Sequence, residues 1–429
     1  MSSASHRNFL ENTLKRFLVS FVVPVAITAL FVISASAQAP SLPPPPTPSY
    51  QFSSDGSSVC IPVEVVADGL VFVQAKINGH LAWFILDNAT QGFTVDRDYA
   101  QQIFLQSSSK ASARGGGSNA IEAGIVRNVQ IGLPGLMLTN RNLIAIALKP
   151  LESAVGHTVD GIIGSRLFDD FVVVVDYEHR CLSIYRADEY KPSGKERILP
   201  VVVDQHGFQF MNATIGLPGI RPISGRFLID GGANTYADIY KPFSEAHQIP
   251  PPTMKLLDEP GTSTGGKTQS SEGRADWIEI GSYSIKSPPI TFGQDVEGLM
   301  ASSDYAGLIG AQFLERFTVV FDNPGKRILL TPNRKYEDRA EYDESGLRIR
   351  ADGPGFHRFV VTRIVPDSPA NNAGIESDDI IVSIDNHPTQ ELSLTEIRSM
   401  FRRPNAHYTI GIIRGNSQLQ IPIQLRPLL

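Results

Sequence analysis

Two aspartates in this chain follow runs of strand-forming residues and precede small residues. Asp87 follows the apolar run 83–86, and Asp230 follows the similar run 226–229. Two carboxyl groups held close together cannot both ionise, because each charge disfavours the other, so such a pair shares one proton. The ionised member can then take a proton from water while the neutral member donates one. This is general acid–base hydrolysis without a covalent intermediate.

The two aspartates stand at matching points of an internal repeat. Each is followed, after a nearly equal spacing, by an apolar-Gly segment, at residues 161–164 and at residues 307–310. A short amphipathic turn and an apolar strand continue each copy to Asp176 and to Asp322. A single Asp after a strand is usually a turn residue that bonds the local backbone. Two at equivalent points of a duplicated lobe instead predict a carboxyl pair at a pseudo-twofold axis.

Strands and turns are predicted to position this pair. Asn78-Gly79 between two apolar runs predicts a β-hairpin whose second strand ends at Asp87. The 36 Gly and 30 Pro residues indicate many tight turns, as in short-stranded β architecture. A length of 429 residues suits two to four domains, and 42% hydrophobic residues with 19% charged are typical of a globular protein.

Charge and composition argue against several other functions. The formal net charge is −6 and no basic run is present, so nucleic acid is not expected as a partner. The nine histidines are scattered without metal-ligand spacing, and we predict neither a metal site nor a cofactor.

Residues 1–37 are predicted to be a secretory signal peptide. A basic start precedes an apolar run over residues 17–33 and an Ala-x-Ala site that ends at Ala37. The alternative is an uncleaved N-terminal anchor, since this run is at the short limit for a membrane span. We expect an exported protein, periplasmic or extracellular, or otherwise one tethered to the membrane and facing the non-cytoplasmic side. Residues 38–58 are expected to be a proline-rich linker without a core.

Two features bear on export. Cys60 and Cys181 lie in strand-like segments that bound the first repeat, and an oxidising compartment permits one disulfide between them. Two buried free thiols remain the alternative.

Glycosylation sequons begin at Asn88 and Asn212. A glycan on Asn88 would block the cleft beside Asp87, so we favour a secretory route without glycosylation.

The duplicated pattern resembles the pepsin–retropepsin clan of aspartic proteases, in its bacterial two-lobed form. The family pattern is apolar-apolar-Asp-Thr/Ser-Gly-Ala/Ser, followed later by apolar-apolar-Gly. Residues 85–90 with 162–164 match it in the first half, and residues 229–233 with 308–310 match it in the second. The resemblance covers about residues 60–333.

This resemblance implies two homologous β-barrel lobes, at residues 59–190 and 195–333. Asp87 and Asp230 would be the catalytic pair of an aspartic endopeptidase that hydrolyses polypeptides, with the choice of base left open. The Gly-rich loops would close over the substrate as flaps. The flap candidates are Gly115, Gly116, Gly117, Gly265 and Gly266.

The residues after each aspartate depart from the family pattern. The family places Thr or Ser there, and those hydroxyls brace the two loops against each other. This chain has Asn88 and Gly231 at these positions, and Ala89 replaces the usual Gly, while Gly232 follows Gly231. The alternative function is therefore a catalytically degenerate protease-like protein that binds peptides or serves as a scaffold.

Residues 341–429 resemble a PDZ domain. Gly346, Leu347, Arg348 and Ile349 match the carboxylate-binding loop, with Arg348 at its third position, and residues 367–375 match the Ser-Pro-Ala…Ala-Gly segment. The resemblance implies an α+β domain that adds a peptide as an extra strand and binds its C-terminal carboxylate. The alternative is a unit that only packs on the protease lobes.

Overall fold

A computed structural model describes most of the chain. The described residues are 46–54, 56–115, 120–264, 266–298 and 301–429. The predicted signal peptide lies outside these ranges. Within them, no helix is both long and apolar enough to cross a bilayer.

The first lobe consists of strands joined by turns and short helices. Its strands are β1 (Ser49–Phe52), β2 (Ser57–Val66), β3 (Leu70–Ile77), β4 (His80–Leu86), β5 (Phe93–Asp96), β6 (Ser107–Arg114), β7 (Ala120–Leu133), β8 (Leu136–Ile146), β9 (Gly161–Ile163), β10 (Val172–Asp176) and β11 (Cys181–Tyr185). Its helices are α1 (Arg97–Gln102), α2 (Lys149–Val155) and α3 (Ser165–Asp170).

The second lobe repeats this organisation. Its strands are β12 (Arg197–Pro200), β13 (Val202–Val203), β14 (Gln209–Gly216), β15 (Ile223–Ile229), β16 (Ala237–Ile239), β17 (Leu256–Asp258), β18 (Gly261–Ser263), β19 (Gly266–Thr268), β20 (Ser270–Arg274), β21 (Trp277–Ile280), β22 (Tyr283–Lys286), β23 (Pro289–Gly293), β24 (Gly307–Ile309), β25 (Phe317–Asp322) and β26 (Arg327–Pro332). Its helices are α4 (Lys241–His247) and α5 (Ala311–Leu314).

The C-terminal unit has its own sheet and its own hydrophobic core. Its strands are β27 (Leu347–Asp352), β28 (Arg358–Ile364), β29 (Ile380–Ile384), β30 (His387–Pro388), β31 (His407–Arg414) and β32 (Ser417–Gln424). Its α-helices are α6 (Pro369–Asn372) and α7 (Leu394–Met400), and short 3₁₀ turns lie at Pro354–Phe356 and Thr389–Glu391. Helix α7 begins with a capping box, in which Ser393 and Glu396 satisfy each other's backbone amides.

A tight hairpin carries the chain into the first aspartate. Strands β3 and β4 pair antiparallel around Asn78 and Gly79, whose φ angles of 47° and 90° are those of a primed turn. The hairpin predicted from Asn-Gly is therefore present. Strand β4 is buried over its last residues, so Asp87 leaves the sheet from a rigid strand.

The apolar-Gly segments of the repeat lie beside the strands that end at the aspartates. Strand β9 runs parallel to β4, and β24 runs parallel to β15. The glycine that follows each of these strands admits no side chain. A Cβ on Gly164 would lie 2.2 Å from the Thr90 carbonyl oxygen, and one on Gly310 would lie 2.4 Å from that of Thr235. Close backbone approach therefore explains the glycine in both copies.

Equivalent strands of the two repeats pair with each other. Strands β10 and β25 are antiparallel neighbours in one sheet that runs through both lobes. Their register is symmetric about one central pair, as a pseudo-twofold axis requires. The paired residues are Val174 with Val320 at the centre, and Val172 with Asp322 and Asp176 with Thr318 at the ends.

The fold-class prediction is confirmed, since the protein is mainly β. One predicted boundary is wrong, because the linker does not extend to residue 58. Strand β1 pairs with β8, and the rings of Tyr50 and Phe52 lie 4.9 and 5.5 Å from that of Phe171. These aromatic contacts fix residues 49–52 to the first lobe, and β2 already begins at Ser57.

Cys60 and Cys181 form a disulfide that closes a long segment of the first lobe. A crosslink of this kind restricts the unfolded chain, and removing one typically costs about 2–5 kcal/mol. We expect the double variant Cys60→Ser/Cys181→Ser to unfold at lower urea concentration, with a free energy of unfolding lower by about that amount. The wild-type protein in excess reductant should match the variant, and equal midpoints for oxidised wild type and variant would contradict this prediction.

Candidate active site

The Asp87 carboxyl group is held by the turn that follows it. Its Oδ1 accepts hydrogen bonds from the amides of Ala89 (2.8 Å) and Thr90 (3.0 Å), and its Oδ2 accepts one from the Thr90 hydroxyl (2.7 Å). The Asp87 amide donates to the carbonyl of Ile163 on β9. Donors aimed at a carboxylate favour its ionised form, so this turn stabilises the Asp87 anion.

Asp230 occupies the equivalent position in the second lobe. Its amide donates to the carbonyl of Ile309 on β24, and its Oδ1 accepts from the Gly232 amide at 2.8 Å. Ala233 stands where the first lobe has Thr90, so no hydroxyl is available from that residue. The Asp230 anion is therefore less well stabilised than the Asp87 anion.

Gly232 brings the two carboxyl groups together. Its amide bonds Asp230, and a Cβ placed on it would lie 2.4 Å from both Cγ and Oδ2 of Asp87. Any side chain at this position would overlap the Asp87 carboxyl, which explains the glycine. One residue thus contacts both carboxyl groups across the lobe boundary.

The surroundings make the two acids unequal. Burial raises the pKa of Asp230 well above its usual range, and the neighbouring charge of Asp87 raises it further. Burial also raises the pKa of Asp87, but the Thr90 hydroxyl and the amides of Ala89 and Thr90 oppose that rise. A shared proton should therefore lie mainly on Asp230, with Asp87 ionised.

Asn88 braces the two aspartate loops from one side. Its Nδ2 donates to the carbonyl of Ile229 (2.6 Å), and its Oδ1 accepts from the amide of Gly231 (2.8 Å). Both partners flank Asp230 in the chain. The second loop makes no equivalent side-chain bond to the first, because Gly231 has no side chain. A Cβ at Gly231 would lie 3.8 Å from the carbonyl oxygen of Leu86, the residue before Asp87.

A chain of buried amides supports Asn88. The second Nδ2 hydrogen of Asn88 is directed to Oε1 of Gln209 (3.1 Å), and Gln209 donates to Oδ1 of Asn323. Asn323 donates in turn to Asp169 (3.0 Å) and to the carbonyl of Gly207 (2.9 Å). This network crosses the lobe boundary twice, from Asn88 to Gln209 and from Asn323 to Asp169, and satisfied buried networks of this kind rigidify a core.

Asn88 is 1% exposed, so the first sequon cannot carry a glycan in the folded protein. Asn212, in the second sequon, is exposed on β14. The expected blockage of the cleft by a sugar therefore does not arise.

Ala89, the remaining departure, is accommodated without strain. It lies outside the left-handed backbone region that favours glycine. With Ala233, it packs against an apolar cluster beside the two loops. The buried members of that cluster are Phe208, Phe210, Leu228, Tyr240, Tyr305 and Leu308.

The flap candidates fall on two hairpins, one from each lobe. Strands β6 and β7 form the first hairpin, and β18 and β19 form the second. Gly115 follows β6, and a Cβ on it would lie 2.1 Å from the Thr264 carbonyl oxygen at the end of the second hairpin. Gly266 begins β19, while Gly116, Gly117 and Gly265 lie outside the described residues. The structure thus brings the ends of the two hairpins into contact.

The predicted carboxylate loop of the C-terminal unit is already engaged within the chain. The Gly346 amide donates to Oδ1 of Asp343 (2.7 Å), and the Leu347 amide donates to the Ser345 hydroxyl (3.0 Å). The Arg348 guanidinium forms a bidentate ion pair with Glu259 of the second lobe. The predicted loop residues are therefore bonded within the chain, and their role in binding a peptide carboxylate stays a prediction.

Two family models match parts of the chain. Residues 73–167 match the model described as aspartyl protease, and residues 360–414 match the model described as PDZ domain. The chain thus contains one segment similar to an aspartyl protease domain, followed by a C-terminal segment similar to a PDZ domain. This confirms the resemblance predicted from the sequence.

Individual relatives cover limited parts of the chain. A stretch of 81 residues is 31% identical to the serine endoprotease DegS of Escherichia coli strain K12, covering 18% of this chain and 23% of DegS, and DegS of Escherichia coli O157:H7 gives the same values. Among solved structures, the photosystem II D1 C-terminal processing protease aligns with a TM-score of 0.19 and 21% identity, over 20% of this chain and 23% of that one. Basic 7S globulin from soybean aligns with a TM-score of 0.40 and 11% identity, over 66% of this chain and 98% of that one.

Sequence reasoning missed several residues that support the site. Thr90 had a usable signal, because it lies three residues after Asp87 inside the quoted motif. Gln209 and Asn323 had none, since each is far in sequence from Asn88 and follows no recognisable pattern. Glu259 likewise gave no indication that it pairs with Arg348.

Asn88→Ala tests the brace. The change deprives the Ile229 carbonyl, the Gly231 amide and Gln209 of their partner, and each buried unsatisfied group costs about 1–3 kcal/mol. We expect the free energy of unfolding in urea to fall by at least about 3 kcal/mol. The exposed Asn212→Ala serves as the matched control, with a change within about 0.5 kcal/mol. Equal losses in the two variants would argue against a bracing role.

Proposed function

We propose that this protein is an exported aspartic-type endopeptidase that hydrolyses peptide bonds with a water held between Asp87 and Asp230. The protease-family domain and the peptide-binding class of its C-terminal domain support a proteolytic role. The observation that carries the specific proposal is Gly232, which touches both carboxyl groups at once. Two acids that contact the same residue, one ionised and one protonated, are suited to activating water.

The unequal environments suggest the role of each acid. The Asp87 carboxylate removes a proton from water, whose oxygen bonds to the substrate carbonyl carbon while Asp230 gives its proton to the carbonyl oxygen. The resulting tetrahedral diol collapses as the C–N bond breaks. Asp87 then returns its proton to the departing nitrogen, and Asp230 recovers one from a diol hydroxyl. No covalent enzyme intermediate forms.

Export is part of the proposal. Disulfides persist in oxidising compartments, and the Cys60–Cys181 bond supports a periplasmic or extracellular location. The predicted signal peptide supports the same location.

The two hairpins whose ends meet at Gly115 and Thr264 are proposed to act as flaps over an extended polypeptide.

A second candidate function is a protein that holds peptides without cutting them. The one-sided brace favours it, because Asn88 bonds across to the second loop while Gly231 returns nothing through a side chain. In that case the dyad would be a remnant, and peptide binding would not depend on its protonation.

Asparagine variants of the dyad distinguish the two functions. With an unfolded, reduced polypeptide as substrate at acid to neutral pH, we expect Asp87→Asn and Asp230→Asn each to lower kcat/KM on the order of 10²–10⁴-fold. The matched control is Asp276→Asn, an exposed residue of the second lobe, which should leave cleavage unchanged. Absence of cleavage by every form, with peptide binding intact, would support the holding function instead.

The pH profile should report the two environments separately. Thr90→Val removes a donor to the Asp87 carboxylate, which should raise the pKa of Asp87 and move the acidic limb of kcat/KM to higher pH. Ala233→Ser supplies a donor at the equivalent position, which should lower the pKa of Asp230 and move the basic limb to lower pH. Thr214→Val, whose hydroxyl contacts Ser224 on the neighbouring strand, is the control. Parallel shifts of both limbs in either variant would contradict the assignment of Asp87 as base.

A further inference from the structure

The PDZ domain presents one edge strand on which a peptide could be added. The sheet order is β27-β28-β29-β31-β32, so β27 has a strand partner on one side. The predicted carboxylate loop leads into it, since Leu347, Arg348 and Ile349 belong to both the loop and β27. Strand addition at such an edge uses main-chain groups of the edge strand, with a groove beside it for side chains. The occupant of this edge therefore decides what the domain can bind.

Helix α2 of the first protease lobe lies against this edge strand. Arg398 on α7 donates from the same Nη2 to the carbonyl of Ile349 on β27 and to the carbonyl of Ala154 on α2, both at 3.0 Å. The Ile349 carbonyl is a group that an added strand would need. At the end of α2, a Cβ on Gly156 would lie 2.9 Å from Cβ of Leu394, the first residue of α7.

The carboxylate loop is filled by a carboxylate of the same chain. Asp343 accepts hydrogen bonds from the amides of Ser345 (3.1 Å) and Gly346 (2.7 Å) and from the Ser345 hydroxyl (3.0 Å). Arg348 lies 3.4 Å from the same oxygen. Of the four predicted loop residues, Asp343 thus engages the Gly346 amide and the Arg348 guanidinium.

Charged contacts fasten the domain to both lobes. Arg348 and Arg363 bind Glu259 of the second lobe, and Arg402 forms a two-pronged pair with Asp68 of the first. Burial disfavours ionisation of Asp68, but the Arg402 charge and hydrogen bonds outweigh it, and the pKa of Asp68 is lowered. Removing one partner of such a half-buried pair leaves the other uncompensated, so these contacts oppose separation.

We infer that the PDZ groove is an intramolecular docking site whose occupant is helix α2 of the protease region, with Asp343 in place of a peptide carboxylate. In this state the domain does not capture free C-termini. It instead holds the protease lobes, because α2 also contacts β18 and Glu259 lies two residues before that strand. The groove thereby fixes the base of the second hairpin. This inference does not depend on whether the dyad cleaves peptides.

Hydrogen–deuterium exchange of the full chain tests this docking. Arg398→Met keeps an apolar stem but removes the bonds to Ile349 and Ala154. Losing two charge-assisted hydrogen bonds should accelerate amide exchange roughly tenfold or more in residues 149–156 and 347–352, while the core strand β29 stays protected. Arg403→Met, an exposed arginine just after α7, is the matched control and should change neither segment.

A binding measurement gives the second readout. The probe is a pool of fluorescent random octapeptides with free C-terminal carboxylates, compared with the same pool amidated. Carboxylate-dependent binding should be stronger for Arg398→Met than for wild type, because α2 no longer competes. Unchanged exchange over residues 149–156 in Arg398→Met would overturn the inference. So would saturable, carboxylate-dependent binding by wild type that leaves exchange in that segment unaltered.

Discussion

The buried side chain of Asn88 is the constraint on which the arrangement of the two lobes depends. It joins the loop after Asp87 to the backbone on both sides of Asp230, through the Ile229 carbonyl and the Gly231 amide. An amide carries a donor and an acceptor, so one side chain can satisfy both groups, whereas a hydroxyl would have to serve as both through a single oxygen. The neighbouring Gln209 then takes the remaining Asn88 hydrogen, and no polar atom of this side chain is left without a partner.

This one-sided brace agrees with the other differences between the two loops. The first loop supplies Asn88 for bracing and Thr90 for the Asp87 carboxyl, while the second supplies glycines that let the first approach. Close approach raises the pKa of Asp230 through burial and through the charge of Asp87. The first loop thus supplies the bracing and the carboxyl donors, whereas the second supplies the space for close approach. The carboxyl group of the second loop is therefore shifted more strongly toward its neutral form than that of the first, where more donors oppose the shift.

The sequence predicted those parts of the site that rest on local pattern or on repetition. The positions of Asp87 and Asp230 followed from the repeat, and the glycines after β9 and β24 followed from the same motif, because close backbone contact excludes side chains there. The bonds of Asn88 could not be predicted, since their partners are backbone groups and a glutamine from another strand. The C-terminal boundary of the linker was wrong for a similar reason, because contacts distant in sequence fix strand β1. Nothing local to Tyr50 indicates that its ring will lie against that of Phe171.

The C-terminal domain shows why a recognised fold does not settle its ligand. Its loop and edge strand have the pattern of a peptide-binding site, yet Asp343 bonds the Gly346 amide and α2 lies against the strand. A segment joined to the same chain has an effective concentration on the order of millimolar when the geometry permits docking. A free peptide that binds the open groove with micromolar affinity would need to approach millimolar concentration, or to contact more of the groove than α2 does, before it displaced the helix. Helix α2 therefore sets the concentration that any external peptide must reach to occupy the groove. The ion pairs of Glu259 and Asp68 raise that concentration, because they hold the groove against α2.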